Sequence, residues 1–207
     1  MSSIAEHTVE HIHRDDVGSR LGMWLFLFTE LVLFGGMFLV YAVYRFTYPH
    51  EFHVAAKELN TSVGALNTII LLTSSLTIVL SIIAIRKNNK FLSVFFQIFT
   101  MVLAFGFLIN KYFEWNIKIH HGIFPGSEIL LAKGNGEILF FGLYYVMTGL
   151  HALHVGIGML LIEVMTGLTI KGRINSTNYV RLEAAGLYWH LVDIIWIFLF
   201  PLFYLIT

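Results

Sequence analysis

The stretch Tyr144-Tyr145-Val146-Met147-Thr148-Gly149-Leu150-His151-Ala152-Leu153-His154-Val155-Gly156-Ile157-Gly158-Met159 lies inside a long apolar run, yet it carries two histidines three residues apart. Residues i and i+3 share a helix face. At about 100° per residue, His151, His154 and Gly158 fall together, with Met147 between them, while Gly142, Gly149 and Gly156 recur every seventh residue on the opposite side. A lipid-facing helix needs neither a polar face nor a smooth one. Small residues on one stripe let a neighbouring backbone approach closely. The segment therefore reads as a central helix packed on both sides.

The rest of the chain supplies the setting. Of 207 residues, 57% are hydrophobic and 13% charged, with a mean hydropathy of +0.75. A soluble domain of this size could not hide that much apolar surface. The apolar residues come in five runs, at about 21–44, 64–85, 91–112, 137–164 and 183–206, each near the ~20 residues needed to cross a bilayer. The expected fold is thus an all-α integral membrane protein: one five-helix membrane domain over 21–206, preceded by a polar, histidine-rich tail over 1–20. The tail holds His7, His11 and His13; short His tracts can bind metal, but a solvated tail is the preferred reading. The first run has Glu30 inside it and no small-residue cleavage site, so it is expected to be a span and not a signal peptide.

Several function classes fall away. The formal net charge is zero and no basic patch suggests a nucleic-acid partner. The absence of cysteine excludes disulfides, iron–sulfur clusters and thiolate ligands. Copper or haem held only by His or Met stays open. Lys and Arg set an orientation. With five spans, one side holds Arg14, Arg20, Arg86, Lys87, Lys90, Lys171, Arg173 and Arg181, and the other Arg45, Lys57, Lys111, Lys118 and Lys133. This bias favours the N-terminus inside and the C-terminus outside.

Depth then singles out five polar groups. Counted from the inner ends of their segments, Glu30, His154, His190 and Asp193 lie about seven to ten residues deep and His151 about thirteen, on segments one, four and five. Ionisable groups inside a span are expensive unless paired, so a buried polar network linking the three segments is expected. Burial disfavours a bare carboxylate; Glu30 should therefore share a hydrogen bond, with His151, His190 and Asp193 the candidate partners by depth. Glu30, His151, His154, His190 and Asp193 are all suitable metal ligands, and i,i+3 ligand pairs occur in helix bundles. The alternative, satisfied core histidines that fix helix register, is preferred, with no metal bound. A transporter would show broken helices and repeats, and neither is visible. On segment two, Asn67, Ser74 and Ser81 recur every seventh residue and suit helix–helix contact. Glu114 and Trp115 in Lys111-Tyr112-Phe113-Glu114-Trp115, together with Trp189 and Trp196, are assigned to the interface, where such side chains are enriched.

At these residues the sequence resembles a known family. Thr148-Gly149-Leu150-His151-Ala152-Leu153-His154-Val155-Gly156-Ile157-Gly158, followed by Tyr188-Trp189-His190-Leu191-Val192-Asp193-Ile194-Ile195-Trp196, is similar to the paired signatures of subunit III of haem–copper terminal oxidases. Thr29-Glu30-Leu31-Val32-Leu33-Phe34-Gly35-Gly36 is similar to that family's buried-glutamate helix, and Leu66-Asn67-Thr68-Ile69-Ile70-Leu71-Leu72-Thr73-Ser74-Ser75 to its next helix. The resemblance covers about 20–206. It implies a multi-pass subunit of the bacterial inner membrane, bound to subunits I and II, with no haem or copper of its own and with bound phospholipid. Its role would be to support stability, lipid and oxygen access and sustained proton uptake in subunit I. It also implies Glu30 as the buried carboxyl, and His151, His154, His190, Asp193 and Trp196 as the signature polar core. The long form of the family has seven spans; five match short bacterial forms, where subunit I can supply two helices. Cytochrome c is the expected electron donor, with a quinol oxidase or a nitric-oxide-reductase accessory subunit as the alternative.

Overall fold

A computed structural model describes residues 16–206; His7, His11 and His13 of the expected tail lie outside the described residues. The chain forms α1 (Asp16–Thr47), α2 (Pro49–Ala56), α3 (Thr61–Arg86), α4 (Lys90–His120), α5 (Glu128–Leu131), α6 (Asn135–Ile170) and α7 (Val180–Tyr204). Five of these, over Leu21–Thr47, Thr61–Arg86, Lys90–His120, Asn135–Ile170 and Val180–Tyr204, are long and apolar enough to cross a membrane.

Local chemistry sets the helix ends. Asn60 caps α3 by accepting from the backbone N–H groups of Ser62 and Val63, Asn89 caps α4 through Leu92, and Ser127 caps α5 through Leu130. Each satisfies a donor that a helix start leaves open. Between α3 and α4 the chain reverses over Lys87–Asn89, with Asn88 at φ 59°, a left-handed conformation that asparagine tolerates. The resulting antiparallel α3–α4 hairpin packs on α7 through α3 and on α6 through α4, while α1 lies against α6 and α7.

The helices overrun the apolar runs. Polar residues with helical phase extend α4 to His120 and α6 to Ile170. The polar stretch at 45–63 contains α2, which buries Phe52, Ala55 and Ala56. The central placing of segment four is seen in α6, which touches α1, α2, α4, α5 and α7, while α7 is the most enclosed span and α1 the least. One sequence expectation about packing needs correction: the glycine stripe of α6 is not a close helix contact within this chain. A Cβ on Gly142 or Gly156 would have no atom within 4 Å, and on Gly149 it would meet only the Trp115 ring edge at 3.1 Å. Close approaches are made instead by Gly136, where a Cβ would lie 2.6 Å from Glu51 Cβ, and by Gly158, on the histidine face, where it would lie 2.7 and 2.8 Å from Trp189 ring carbons. The large indole on α7 needed the smallest residue opposite it.

The Asn67–Ser74–Ser81 heptad does face inward. All three are buried. Asn67 accepts from Asn110 at 3.1 Å, Ser74 accepts from the Trp189 indole N–H at 3.0 Å, and Ser81 lies 3.0 Å from Ser93 Oγ. In lipid, apolar burial gives helices no reason to prefer each other over acyl chains; packing and bonds of this kind do. Gly158→Leu should therefore destabilise the chain by about 1–3 kcal/mol through overpacking, whereas Gly156→Ala should be neutral or slightly stabilising. Thermal unfolding in detergent checks both, and equal melting of the two variants would contradict the assigned contact.

Candidate functional site

The five deep polar groups do not form one network. Glu30 on α1 pairs with His154 on α6, Oε2 to Nε2 at 2.9 Å. His154 Nδ1 lies 2.7 Å from the Leu150 carbonyl oxygen and so donates its hydrogen there. Whichever atom holds it, one proton then lies between Nε2 and Oε2. Tyr188 donates to the His154 carbonyl at 3.1 Å, and Phe34 meets the imidazole edge-on at 5.5 Å between centroids. The partner of Glu30 is therefore His154, not His151, His190 or Asp193, which depth alone had suggested.

The other three sit apart. His151 is fully buried between the Trp196 ring, 5.2 Å away at 32°, and the Phe107 ring, 5.6 Å away at 85°. Neither of its nitrogens has a hydrogen-bond partner among the described residues. His190 Nδ1 lies 2.6 Å from Ser75 Oγ, which ties α7 to α3. Asp193 is buried; neither carboxylate oxygen has a hydrogen bond of good geometry among the described residues, and the Ser75 hydroxyl is the polar group beside it. Among those residues, no three His, Asp or Glu side chains converge as a metal-binding group would require.

A second constellation was misread in the sequence. Lys111 and Glu114 are not interfacial: they are 3% and 8% exposed, whereas Tyr112 and Phe113 between them are 67% and 58% exposed. The i,i+3 charges share the inward face and the aromatics the outward one. Lys111 Nζ lies 3.2 Å from Glu114 Oε2, and it donates to the Tyr144 hydroxyl at 3.0 Å and the Tyr204 hydroxyl at 2.8 Å. Both hydroxyls in turn donate to Glu114, at 2.8 and 2.7 Å. The ammonium also sits over the Trp196 ring at 5.3 Å. Four side chains from α4, α6 and α7 thus close a buried ring in which each polar atom has a partner. The helical phase of Lys111, Glu114 and Lys118, on one face at +3 and +7, was the signal that could have found it.

Trp189 and Trp196 likewise leave the interface for the core. Both are fully buried, and the Trp196 indole N–H donates to Thr68 at 3.1 Å. Trp115 is partly buried and packs on Tyr145 at 5.3 Å. Towards the α4–α6 loop the charges continue. Lys118 donates to the Glu58 carbonyl at 3.0 Å, and Lys133 bridges Glu58 at 2.6 Å and Glu137 at 3.0 Å. Burial pulls the Lys133 ammonium down, but its two carboxylate partners outweigh it and hold it above the ordinary lysine range.

The arrangement defines a class: a multi-span helical membrane protein whose buried polar groups join helices. The comparisons are specific. The family model for cytochrome c oxidase subunit III matches residues 1–207, and the chain belongs to that family. It is similar to cytochrome c oxidase subunit 3 of Thermostichus vulcanus, 32% identical over 201 residues, covering 96% of this chain and 92% of the relative. It is similar to a heme-copper oxidase subunit I+III of Aeropyrum pernix, 31% identical over 194 residues, covering 90% of this chain but 22% of that longer protein. It is also similar to a cytochrome bo(3) ubiquinol oxidase subunit 3 of Buchnera aphidicola, 30% identical over 185 residues, covering 89% of this chain and 92% of the relative. The chain is a multi-pass subunit III of a haem–copper oxidase, an oxidoreductase complex of respiration; the bacterial inner membrane fits its bacterial relatives. Subunit III implies a complex with subunit I, and the Aeropyrum relative is named for both together.

Two outcomes follow from this geometry. Lys111→Met should cost about 3–5 kcal/mol, because it strands the Glu114 carboxyl in the bundle; the double variant with Glu114→Gln should recover most of that in detergent unfolding. His154→Leu, which leaves Glu30 without its acceptor or donor, should cost about 1–3 kcal/mol, while Glu30→Gln, whose amide can still donate to Nε2, should unfold close to the parent. Equal loss in both would show that the Glu30–His154 contact is not the one that matters.

Proposed function

We propose that this chain is the non-redox subunit III of a proton-pumping oxidase that takes electrons from cytochrome c and reduces oxygen to water. It carries no haem or copper, binds phospholipid, contacts subunits I and II, and meets cytochrome c only through the complex. Its N-terminus lies on the cytoplasmic side, following the Lys and Arg bias of its loops. Its role is to keep subunit I stable and supplied with oxygen and protons. The observation that carries this reading is the Glu30–His154 pair, a carboxyl of α1 and an imidazole of α6 lying 2.9 Å apart. It joins α6 to α1, the least enclosed span, and the Glu30 side chain keeps 14% of its surface accessible from that side. An ionisable couple at that depth is a functional feature by default.

A quinol donor is the second reading, favoured by the likeness to the Buchnera ubiquinol oxidase subunit. A copper-binding Cys/His/Met motif in the accompanying subunit II would decide for cytochrome c. The test of the main reading is purification from native membranes. This chain should co-purify with haem-bearing subunits and bring no stoichiometric transition metal of its own. Glu30→Gln should assemble normally yet lower pumping or shorten active lifetime. A metal held by the isolated chain and lost in His151→Ala, or a Glu30→Gln complex with unchanged pumping and lifetime, would count against it.

A further inference from the structure

The rings around the buried Lys111–Glu114 pair form a connected line. Trp196 meets Tyr204 at 6.3 Å between ring centroids, and Tyr204 meets Tyr144 at 6.5 Å. Tyr144 meets Tyr145 at 5.3 Å, and Tyr145 meets Trp115 at 5.3 Å. Trp196, Tyr204 and Tyr144 are buried, whereas Trp115 is partly exposed. Trp115 lies five residues before the last residue of α4, about 8 Å from that end at 1.5 Å per residue. The line thus runs from the core to one end of the bundle. Every ring in it is tyrosine or tryptophan, the aromatic side chains most readily oxidised by one electron. Phe107 on Trp196 and Phe203 on Tyr144 lie beside the line and not in it.

A tyrosine gives up an electron readily only if its hydroxyl proton leaves with it, because the oxidised phenol is too acidic to keep it. The proton needs a base within hydrogen-bond reach. The described tyrosines divide on this point. Tyr41, Tyr145 and Tyr188 donate to the backbone carbonyls of Leu202, Ile123 and His154, and a peptide carbonyl is too weak a base to hold a proton. The Tyr179 hydroxyl accepts from Arg86. Among the described residues, Tyr144 and Tyr204 are the tyrosines that donate to a carboxylate, Glu114, at 2.8 and 2.7 Å. Lys111 donates to both hydroxyl oxygens, and a charged donor of this kind still holds the oxygen once its proton has moved.

We propose that Tyr144 and Tyr204 form a redox-active pair that takes up an oxidising equivalent delivered at Trp115. The oxidant is of the peroxyl-radical class, as forms from lipid beside an oxygen-consuming complex. The peroxyl radical gains one electron at Trp115 and one proton from water, and becomes a hydroperoxide. That electron leaves the Tyr144 or Tyr204 ring by way of Tyr145. The phenol O–H bond breaks, its proton passes to Glu114, and a neutral phenoxyl radical remains. A hydroquinone reverses the step. It gives one electron through Trp115 and releases one proton to water, while Glu114 returns its own proton to the phenoxyl oxygen. The site works alike with either electron donor to the complex.

Flash oxidation of the full chain in lipid nanodiscs, with both faces open to water, tests it. The oxidant is ruthenium(III) tris(bipyridine) generated by light. Freeze-quenched EPR should show a neutral tyrosyl radical. Difluorotyrosine placed at Tyr204 or at Tyr144 keeps the hydrogen bonds, and fluorine coupling should broaden the signal for at least one of them. Trp115→Phe should slow formation of the radical. Lys111→Met with Glu114→Gln, the pair expected above to unfold near the parent, should lose the neutral radical, because no base remains. A ring that serves packing alone would give none of these changes. A parent that forms no radical, a radical that neither label broadens, an undiminished signal in the Lys111→Met, Glu114→Gln variant, or an unchanged rate in Trp115→Phe would each overturn the proposal. None of these readouts involves cytochrome c, quinol or subunit I, so the function proposed above is tested separately.

Discussion

Trp196 is the constraint on which the bundle depends. Its indole N–H is held by Thr68 of α3, its face carries the Lys111 ammonium of α4, and its ring lies against His151 of α6. Phe107 meets it edge-on at 4.8 Å. One side chain of α7 thus fixes the spacing of three other helices. A soluble core could tolerate slack at such a point, because burial of apolar area would still favour collapse. A bundle in lipid has no such reserve, and its helices stay together through close packing and interhelical hydrogen bonds. This is why an indole with one obligatory donor occupies the centre: it fills volume and must also find its acceptor.

The Lys111–Glu114–Tyr144–Tyr204 ring extends the same logic to charge. Two ions taken out of water are costly, and their attraction compensates only when the remaining donors and acceptors are satisfied. Here the tyrosine hydroxyls complete the set, each accepting from the lysine and donating to the glutamate. The lysine faces of Tyr144 and Tyr204, at 4.6 and 5.4 Å, add cation–π attraction in a poorly solvated place. Removing any one member leaves the others unsatisfied, so the ring acts as a unit that locks α4, α6 and α7 at one end of the bundle.

What the sequence made legible follows the directions in which sequence is informative. Position along a helix is readable, so five spans, the common level of Glu30 and His154, and the inward heptad of Asn67, Ser74 and Ser81 could all be read. Facing around the helix is readable only when a pattern is long enough to show its phase. Lys111-Tyr112-Phe113-Glu114-Trp115 looks interfacial as five adjacent letters; only with Lys118 added does the charged side separate from the aromatic one. What lies across a helix pair is not readable. Depth offered Glu30 three partners and the packing supplied a fourth, His154. The α6 glycines showed the same limit: the stripe at Gly142, Gly149 and Gly156 was visible, but whether a backbone or an indole needed the room depended on α7, which brings Trp189 to Gly158 instead.

The two ends of the polar inventory behave differently for a physical reason. The members of the charged ring, and the Trp196 indole N–H, are closed within the chain and serve its own architecture. Glu30, His190 and Asp193 lie towards α1 and the outer edge of α3–α7, where enclosure is lowest or where polar atoms lack partners. In a membrane, a polar group left open at mid-depth cannot wait for water as it could on a soluble surface. It is satisfied by another protein segment. His154 on α6 does this for Glu30 on α1, and Ser75 on α3 does it for His190 on α7.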